Sequence, residues 1–423
     1  MIDVIKLLKQ KNLDGFKLNS NTKESFELFF VQGKLETIRK TKTLEQKVTV
    51  YAKHNEFLGQ STFSVLASDD SRKILDKIDL AYQNAMFVSN QPYELASGEK
   101  LSKSSKSNIK NYDFKDLGYQ IYDIVQQEIN KSSSKINALE IFINKDEDRI
   151  RNSNGLDKKE TSYDLFIEAI PTCDTKDDSF ELYQALRFGE FDPEQLRLEI
   201  KNKLEEVRMR SLAKKPEDNL DCPVVLNKEE LAQLFGNFAY TLNYASLYSH
   251  TNRYNIGDNL QENNHGDKIN LTMKGYQKGL VASGYFDQDG TNYVDKQLIE
   301  DGIVKGMFGS SRFAQYTKQE VTGELPCMIV SKGHLKDEQL NKMDYLDCLS
   351  FSGIQVDLFN DYIGGEVRLA YLHKDGKCIP LTGFSINAKL SDVLNNIKFS
   401  NELTKFEDYY GPKLALINGF EIN

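Results

Sequence analysis

The stretch Phe286–Glu300 reads FDQDGTNYVDKQLIE, with two aspartates one residue apart, a glycine, a threonine and later acids. Oxygen donors at such close spacing could cage a hard cation such as calcium. The spacing argues otherwise. An EF-hand loop carries glycine at its sixth position and a bidentate glutamate at its twelfth. Counted from Asp287, Gly290 falls fourth and Leu298 twelfth. Upstream, LVASGYF reads as a strand-like run and not as the helix that enters an EF-hand. Asp289-Gly290 is a turn signal, and the apolar pair Leu298–Ile299 follows, so a hairpin or strand–loop junction is expected.

The other chemistry-bearing residues are dispersed. His54, His250, His265, His334 and His373 include no pair at helical spacing. His250 follows a helical stretch, His265 sits in the polar turn QENNHGDK, and His334 and His373 lie near Asp337 and Asp375. A solvated or hydrogen-bonded role is the simpler reading for each. Cys173, Cys222, Cys327, Cys348 and Cys378 form no CxxC pair and are odd in number, which suits reduced thiols. Neither Cys348 nor Cys378 has a histidine that sequence can place beside it as a base.

The 423 residues suffice for two or three domains with sizeable cores. Apolar content of 39% and charged content of 28% fit a globular chain. No run reaches the ~18 to 20 apolar residues of a membrane span. The opening MIDVIKLLKQKNLDGF is too charged for a secretory signal and reads as an amphipathic helix with Ile2, Ile5 and Leu8 on one face, so a cytoplasmic location is expected. A net charge of −9 with dispersed basic residues argues against nucleic acid as the main partner.

These residues sit in a chain whose pattern changes near residue 216. Gly15–Ser64 alternates as four or five antiparallel strands, with turns at Gln32-Gly33, near Thr43 and at His54–Glu56. Ser68–Asp70 caps a helix through SRKILDKIDLAYQNAMF; LSKSSKSNIKN reads as an exposed loop; FKDLGYQIYDIVQQEIN is a second helix. Strands return around a turn at Asn154-Gly155. Asp192-Pro193 opens the clearest helix, with Leu196, Ile200, Leu204 and Val207 on one face. After the connector KKPEDNLD, CPVVLNKEELAQLFGNF gives a buried-type strand and then an apolar helix. The remainder is short strands between glycine turns. The expected class is α+β: residues 1–215 form an antiparallel sheet with flanking helices, and residues 216–423 form a β-rich domain.

In order, PVVLNKEELAQLFGNF, SGYFDQDGTNYVDKQLIEDGIVKGMF with AQYTKQEVTGE, LDCLSFSGIQVDLFNDYIGG, DGKCIPLTGFSI and LSDVLNNI resemble the TldD/PmbA family of metalloproteases, historically labelled modulators of DNA gyrase. The opening FELFFVQGKLETIRKT and VTVYAKHNEFLGQSTFS resemble that family's first sheet. The resemblance implies two kinds of subunit. TldD-like chains carry a HExxxH helix and a later cysteine before a glycine, which bind Zn²⁺ and leave a position for water, with the glutamate as base. PmbA-like (TldE) chains lack this set and pair with TldD-like ones.

Here the corresponding helix reads Gly236-Asn237-Phe238-Ala239-Tyr240-Thr241, and the cysteine position falls at Tyr410 before Gly411. Gly236, Asn237, Thr241 and Tyr410 supply no imidazole, no carboxylate and no thiolate. The resemblance therefore implies a non-catalytic PmbA/TldE-like subunit of a metallopeptidase complex that acts on unfolded or leader peptides. This chain would bind no cofactor, and zinc would sit in the partner subunit. The partner would be a TldD-like catalytic subunit or a second copy of this chain, with an extended peptide as substrate. Asp287, Asp289, Gly290, Thr291, Gly364 and Gly365 are the candidate peptide-cleft residues. Phe235, Phe238, Tyr240 and Tyr244 are expected to fill the former pocket as core. One departure is EVRLAYLHK, a plain strand where the family carries a glycine-rich segment. Two alternatives remain: an independent peptidase using His250 with acids of the DQDG loop, and a non-enzymatic regulator of gyrase.

Overall fold

The computed structural model describes residues 2–217 and 219–423; Met1, at the start of the first expected domain, and Asp218, in the expected boundary connector, lie outside the described residues. The N-terminal half is built on strands β1 (Gly15–Val31), β2 (Lys34–His54), β3 (Phe57–Val65), β4 (Lys100–Ser104), β5 (Lys135–Asn152) and β6 (Asp157–Asp174). Their order in the sheet is β3-β2-β1-β5-β6-β4, and two short strands, Ser179–Glu181 and Gln184–Phe188, also pair with β6.

Period-two alternation sorts β1 into two faces. Phe16, Leu18, Phe26, Leu28 and Phe30 point to one side and are buried. Helices α1 (Val4–Lys9) and α2 (Ser71–Ala85) cover one end of that side, and α3 (Phe114–Ile129) and α4 (Pro193–Leu212) cover the other. Asp70 caps α2 through the Lys73 N–H at 2.8 Å, and Asp192 caps α4 ahead of Pro193. Leu196, Ile200, Leu204 and Val207 are all buried, as the spacing of α4 predicts. In α1 the face is displaced. Val4, Leu7 and Leu8 are buried, while Ile2 and Ile5 are only partly so.

Three sequence expectations change here. No turn interrupts β2 near Thr43; β2 pairs with β1 through Thr43↔Lys23 and on to both ends, making three strands rather than four or five. Backbone pairing over this length outweighs the polarity of TKTLEQK. LSKSSKSNIKN is not an exposed loop: β4 pairs in parallel with β6, and Ser105, Ser107 and Ile109 are buried. LVASGYF is not a strand either. Its only ladder contact is an isolated bridge from Phe286 to Asn292.

The C-terminal half holds two sheets. One runs through Ile303–Val304, Lys296–Glu300, Leu271–Lys274, Cys327–Val330, Tyr409–Pro412 and Leu403–Phe406. The other is built around Val224–Asn227, Tyr345–Asp357, Tyr362–Lys374 and Phe384–Lys389. Helix α5 (Lys228–Thr241) packs on strands of both sheets, and its Leu231, Leu234, Phe235 and Phe238 lie in the largest core. The class is α+β, as the pattern of elements predicts.

Candidate functional site

Helix α5 brings three of the four vacated positions onto one element. A side chain added at Gly236 would meet Met328 Cε at 3.9 Å as its nearest neighbour beyond the helix. Met328 stands on the strand Cys327–Val330, paired in parallel with Tyr409–Pro412, so the fold does draw the Tyr410 strand to this helix. Asn237 donates its Nδ2 back to the Gln233 carbonyl at 2.9 Å. Thr241 is buried, and its Oγ1 accepts the Arg253 N–H at 2.7 Å, tying the helix end to the following loop. Tyr410 lines a cavity of about 720 Å³ with Asn227, Glu230 and Lys413. The donor set at these positions does not fit zinc: it contains an absent side chain, an amide and a hydroxyl already bonded to backbone, and a phenol.

The aromatic residues of this region divide. Phe235, Phe238 and Tyr244 are buried, but Tyr240 is 72% exposed and does not fill a pocket. Phe238 stacks on Tyr254, whose centroid lies 5.8 Å away.

The DQDG loop is a clasp between the halves. Asp287 is buried, and its Oδ1 accepts the N–H groups of Asp289 and Thr291, both at 2.9 Å, while Oδ2 accepts the Glu324 N–H at 3.1 Å. Burial, then the neighbouring Asp289, pushes its carboxyl above the usual range against the pull of these donors. Gly290 sits at φ +80°, and a Cβ there would lie 2.3 Å from Leu156 Cδ2. Asp289 pairs with Lys17, and Asn19 Nδ2 donates to the Gln288 carbonyl at 2.9 Å. Phe286 packs on Ile150 and Leu156. The acids are thus committed to backbone and lysine partners, which a calcium loop would not allow.

Beside this clasp lies a cleft of about 710 Å³ between the uncovered face of the first sheet and the Val281–Gln288 segment. Its floor includes a row across three strands: Asn21 on β1 stands opposite Asp148 on β5, which stands opposite Glu160 on β6. Asn21 Nδ2 donates to Asp148 Oδ1 at 3.0 Å. Glu160 is 7% exposed; its Oε2 accepts the Tyr285 N–H at 3.0 Å, and its Oε1 has no partner among the described residues. Burial, with Asp148 adding to it, pushes the Glu160 carboxyl up to about 7. Burial raises Asp148 as well. Lys158, one step along β6 on the same face, is engaged by Glu99 at 2.7 Å and Asn292 at 2.6 Å. Sequence reasoning did not single out this row. The signal was available in the hairpin turn at Asn154-Gly155, which sets Asp148 opposite Glu160.

Gly364 and Gly365 are placed elsewhere. They lie mid-strand, paired with Asn387 and Ile386 on one side and Gln355 and Ile354 on the other. Side chains there would strike Ile386 O and Gly353 O, each at 2.6 Å, so close strand packing accounts for both glycines. The fold does not bring them to the cleft lined by Asp287. EVRLAYLHK lies within the strand Tyr362–Lys374 as expected.

His250 is exposed at φ +56°, His265 is exposed, and His334 pairs with Asp267 at 3.3 Å rather than with Asp337. His373 stacks on Tyr345, and burial lowers its pKa. Among the described residues, no group of three or more His, Cys, Asp or Glu is placed to hold a metal ion. All five cysteines are free; Cys173, Cys327 and Cys348 are buried, Cys222 is half-buried and Cys378 is exposed. No helix among the described residues is long and apolar enough to cross a membrane.

Residues 219–423 match the family model of the PmbA/TldA metallopeptidase C-terminal domain. No curated protein matches the chain. Over 99% of its length the chain is similar to TldE from Thermococcus kodakarensis, covering 100% of that chain with a TM-score of 0.81 at 14% identity. It is similar over 99% of its length to a protein named as a modulator of a DNA gyrase from Thermotoga maritima, covering 98% of it with a TM-score of 0.76 at 14% identity. A protein named as a modulator of DNA gyrase from Bacteroides thetaiotaomicron is likewise similar, over 99% of this chain and 97% of that one, with a TM-score of 0.77 at 13% identity. At these identities the whole-chain likeness is one of fold.

Proposed function

Because this chain is a TldD/PmbA/TldE-like family member, we propose that it serves as the non-catalytic, TldE-like subunit of a metallopeptidase pair. The observation that carries this reading is the chemistry of Gly236, Asn237, Thr241 and Tyr410 on a fold that still gathers their backbone positions. Zinc, and the water it activates, would come from a TldD-like partner. This chain would help enclose an extended, unfolded peptide. The polar cleft beside the Asp287 clasp supports that role, offering side chains and main-chain groups along an open groove.

Co-expression with a HExxxH-bearing TldD-like chain tests the reading. The two should co-purify, with zinc in proportion to the partner and hydrolysis of an unfolded peptide by the pair only. A purified homodimer of this chain that retains zinc and cleaves peptide would overturn it.

A further inference from the structure

We propose that the Asn21–Asp148–Glu160 row is a binding subsite for a primary ammonium group, carried by the N-terminus or a lysine of a peptide in the cleft. This deepens the peptide-binding reading above and rests on it for the identity of the ligand.

Two carboxyl groups directly opposite on neighbouring antiparallel strands repel, and that arrangement is disfavoured unless something of opposite charge stands between them. Among the described residues no cationic side chain is paired with either acid. Lys158, two residues before Glu160 on the same face, is held by Glu99 and Asn292. Arg149, next along β5, turns to a bidentate pair with Asp157, both bonds at 2.7 Å. The buried Glu160 oxygen without a partner is a second sign. An orphaned buried carboxylate oxygen is costly, and Glu160 lines a cleft large enough for a peptide segment.

The geometry selects the kind of cation. A guanidinium prefers both oxygens of one carboxylate, and Glu160 Oε2 is already taken by the Tyr285 N–H. An ammonium is a compact charge with three donors and can bridge one oxygen of Glu160 to Asp148. Tyr285, Tyr293 and Asp287 of the C-terminal half and Asp148 beside Glu160 carry no positive charge; of the cations lining the cleft, Lys47 stands on β2 opposite Asn19 and Arg149 is held by Asp157. Binding should therefore strengthen as pH rises through about 7, where Glu160 ionises.

The test is calorimetric titration of the full chain at about pH 8.5, above the Glu160 transition, with n-butylammonium and with tetramethylammonium, which has no N–H donor. Butylammonium should bind, Glu160→Gln and Asp148→Asn should each weaken it by about tenfold, and tetramethylammonium should not bind. Absence of butylammonium binding, or binding that neither variant weakens, overturns the subsite. Three pentaalanine-based amides, titrated at about pH 7.3 where Glu160 is largely ionised and a peptide α-amino group is still largely protonated, then separate the sources: one with a free N-terminus, one acetylated, and one acetylated with a central lysine. Preference for the first assigns the N-terminus, and preference for the third assigns lysine. If all three bind alike, the ammonium subsite falls and the peptide reading stands. If butylammonium binds in the Glu160-dependent way and no peptide does, the subsite stands and the peptide reading falls.

Discussion

Asp287 and Glu160 are both buried carboxyl groups facing the same cleft, yet their surroundings are opposite. Asp287 belongs to the C-terminal half and receives three backbone N–H groups, one of them from the distant Glu324. Glu160 belongs to the N-terminal sheet, receives one, and keeps an oxygen with no donor. A carboxylate surrounded by its own backbone is a structural part. One left short of donors is available to something else. The difference teaches that acid count along a sequence says little about binding until each oxygen is accounted for.

The comparison can be broken most severely at its satisfied end. Asp287→Ala should cost about 4 kcal/mol in urea unfolding, because three N–H groups lose their acceptor in a buried place. A loss below about 1 kcal/mol would mean that the clasp is not structural. Gly290→Ala should cost about 3 kcal/mol, combining a left-handed backbone with a methyl group driven into Leu156, and should be read by the same unfolding curve.

At the unsatisfied end the sign reverses. Glu160 has a folded-state pKa raised to about 7 from 4.5, so its contribution to stability is fully present below the unfolded value and is lost as pH rises through about 7. Glu160→Gln should therefore be more stable than the parent by about 2 kcal/mol near pH 8.5 and nearly equal to it near pH 4.5. Unfolding at both pH values checks this, and a variant less stable at the higher pH would remove the contrast. The smallest effect belongs to the rim: Lys17→Met, which breaks the pair with Asp289, should cost at most about 1 kcal/mol and should fade in high salt.

Much of this was legible in the residues. Asp192-Pro193 and the apolar spacing after it defined α4, and Asn154-Gly155 marked the hairpin whose register sets Asp148 against Glu160. The Asp289-Gly290 turn was also visible as a turn. What composition hid was pairing. TKTLEQK gave no sign that β2 continues unbroken, because its partner β1 lies earlier in the chain and supplies the hydrogen bonds. LSKSSKSNIKN looked solvated, yet β6 takes it as a parallel edge. LVASGYF looked like a strand, but Gly284 packs against the Tyr293 ring and its segment forms the cleft wall. Non-local contacts decided each case. The candidate residues are placed apart for the same reason: Asp287 lines the cleft, Asp289 turns to Lys17, and Gly364 and Gly365 lie in close strand packing.

The short segment Phe286–Asn292 reaches across to Lys17, Asn19, Ile150, Leu156 and Lys158. A chimaera that exchanges only residues 219–423 for those of a relative would thus inherit a plug without its socket. Grafting would have to carry the matching stretches of β1, β5 and β6 along with it, so the two halves form one heritable unit even though the connector between them reads as a seam.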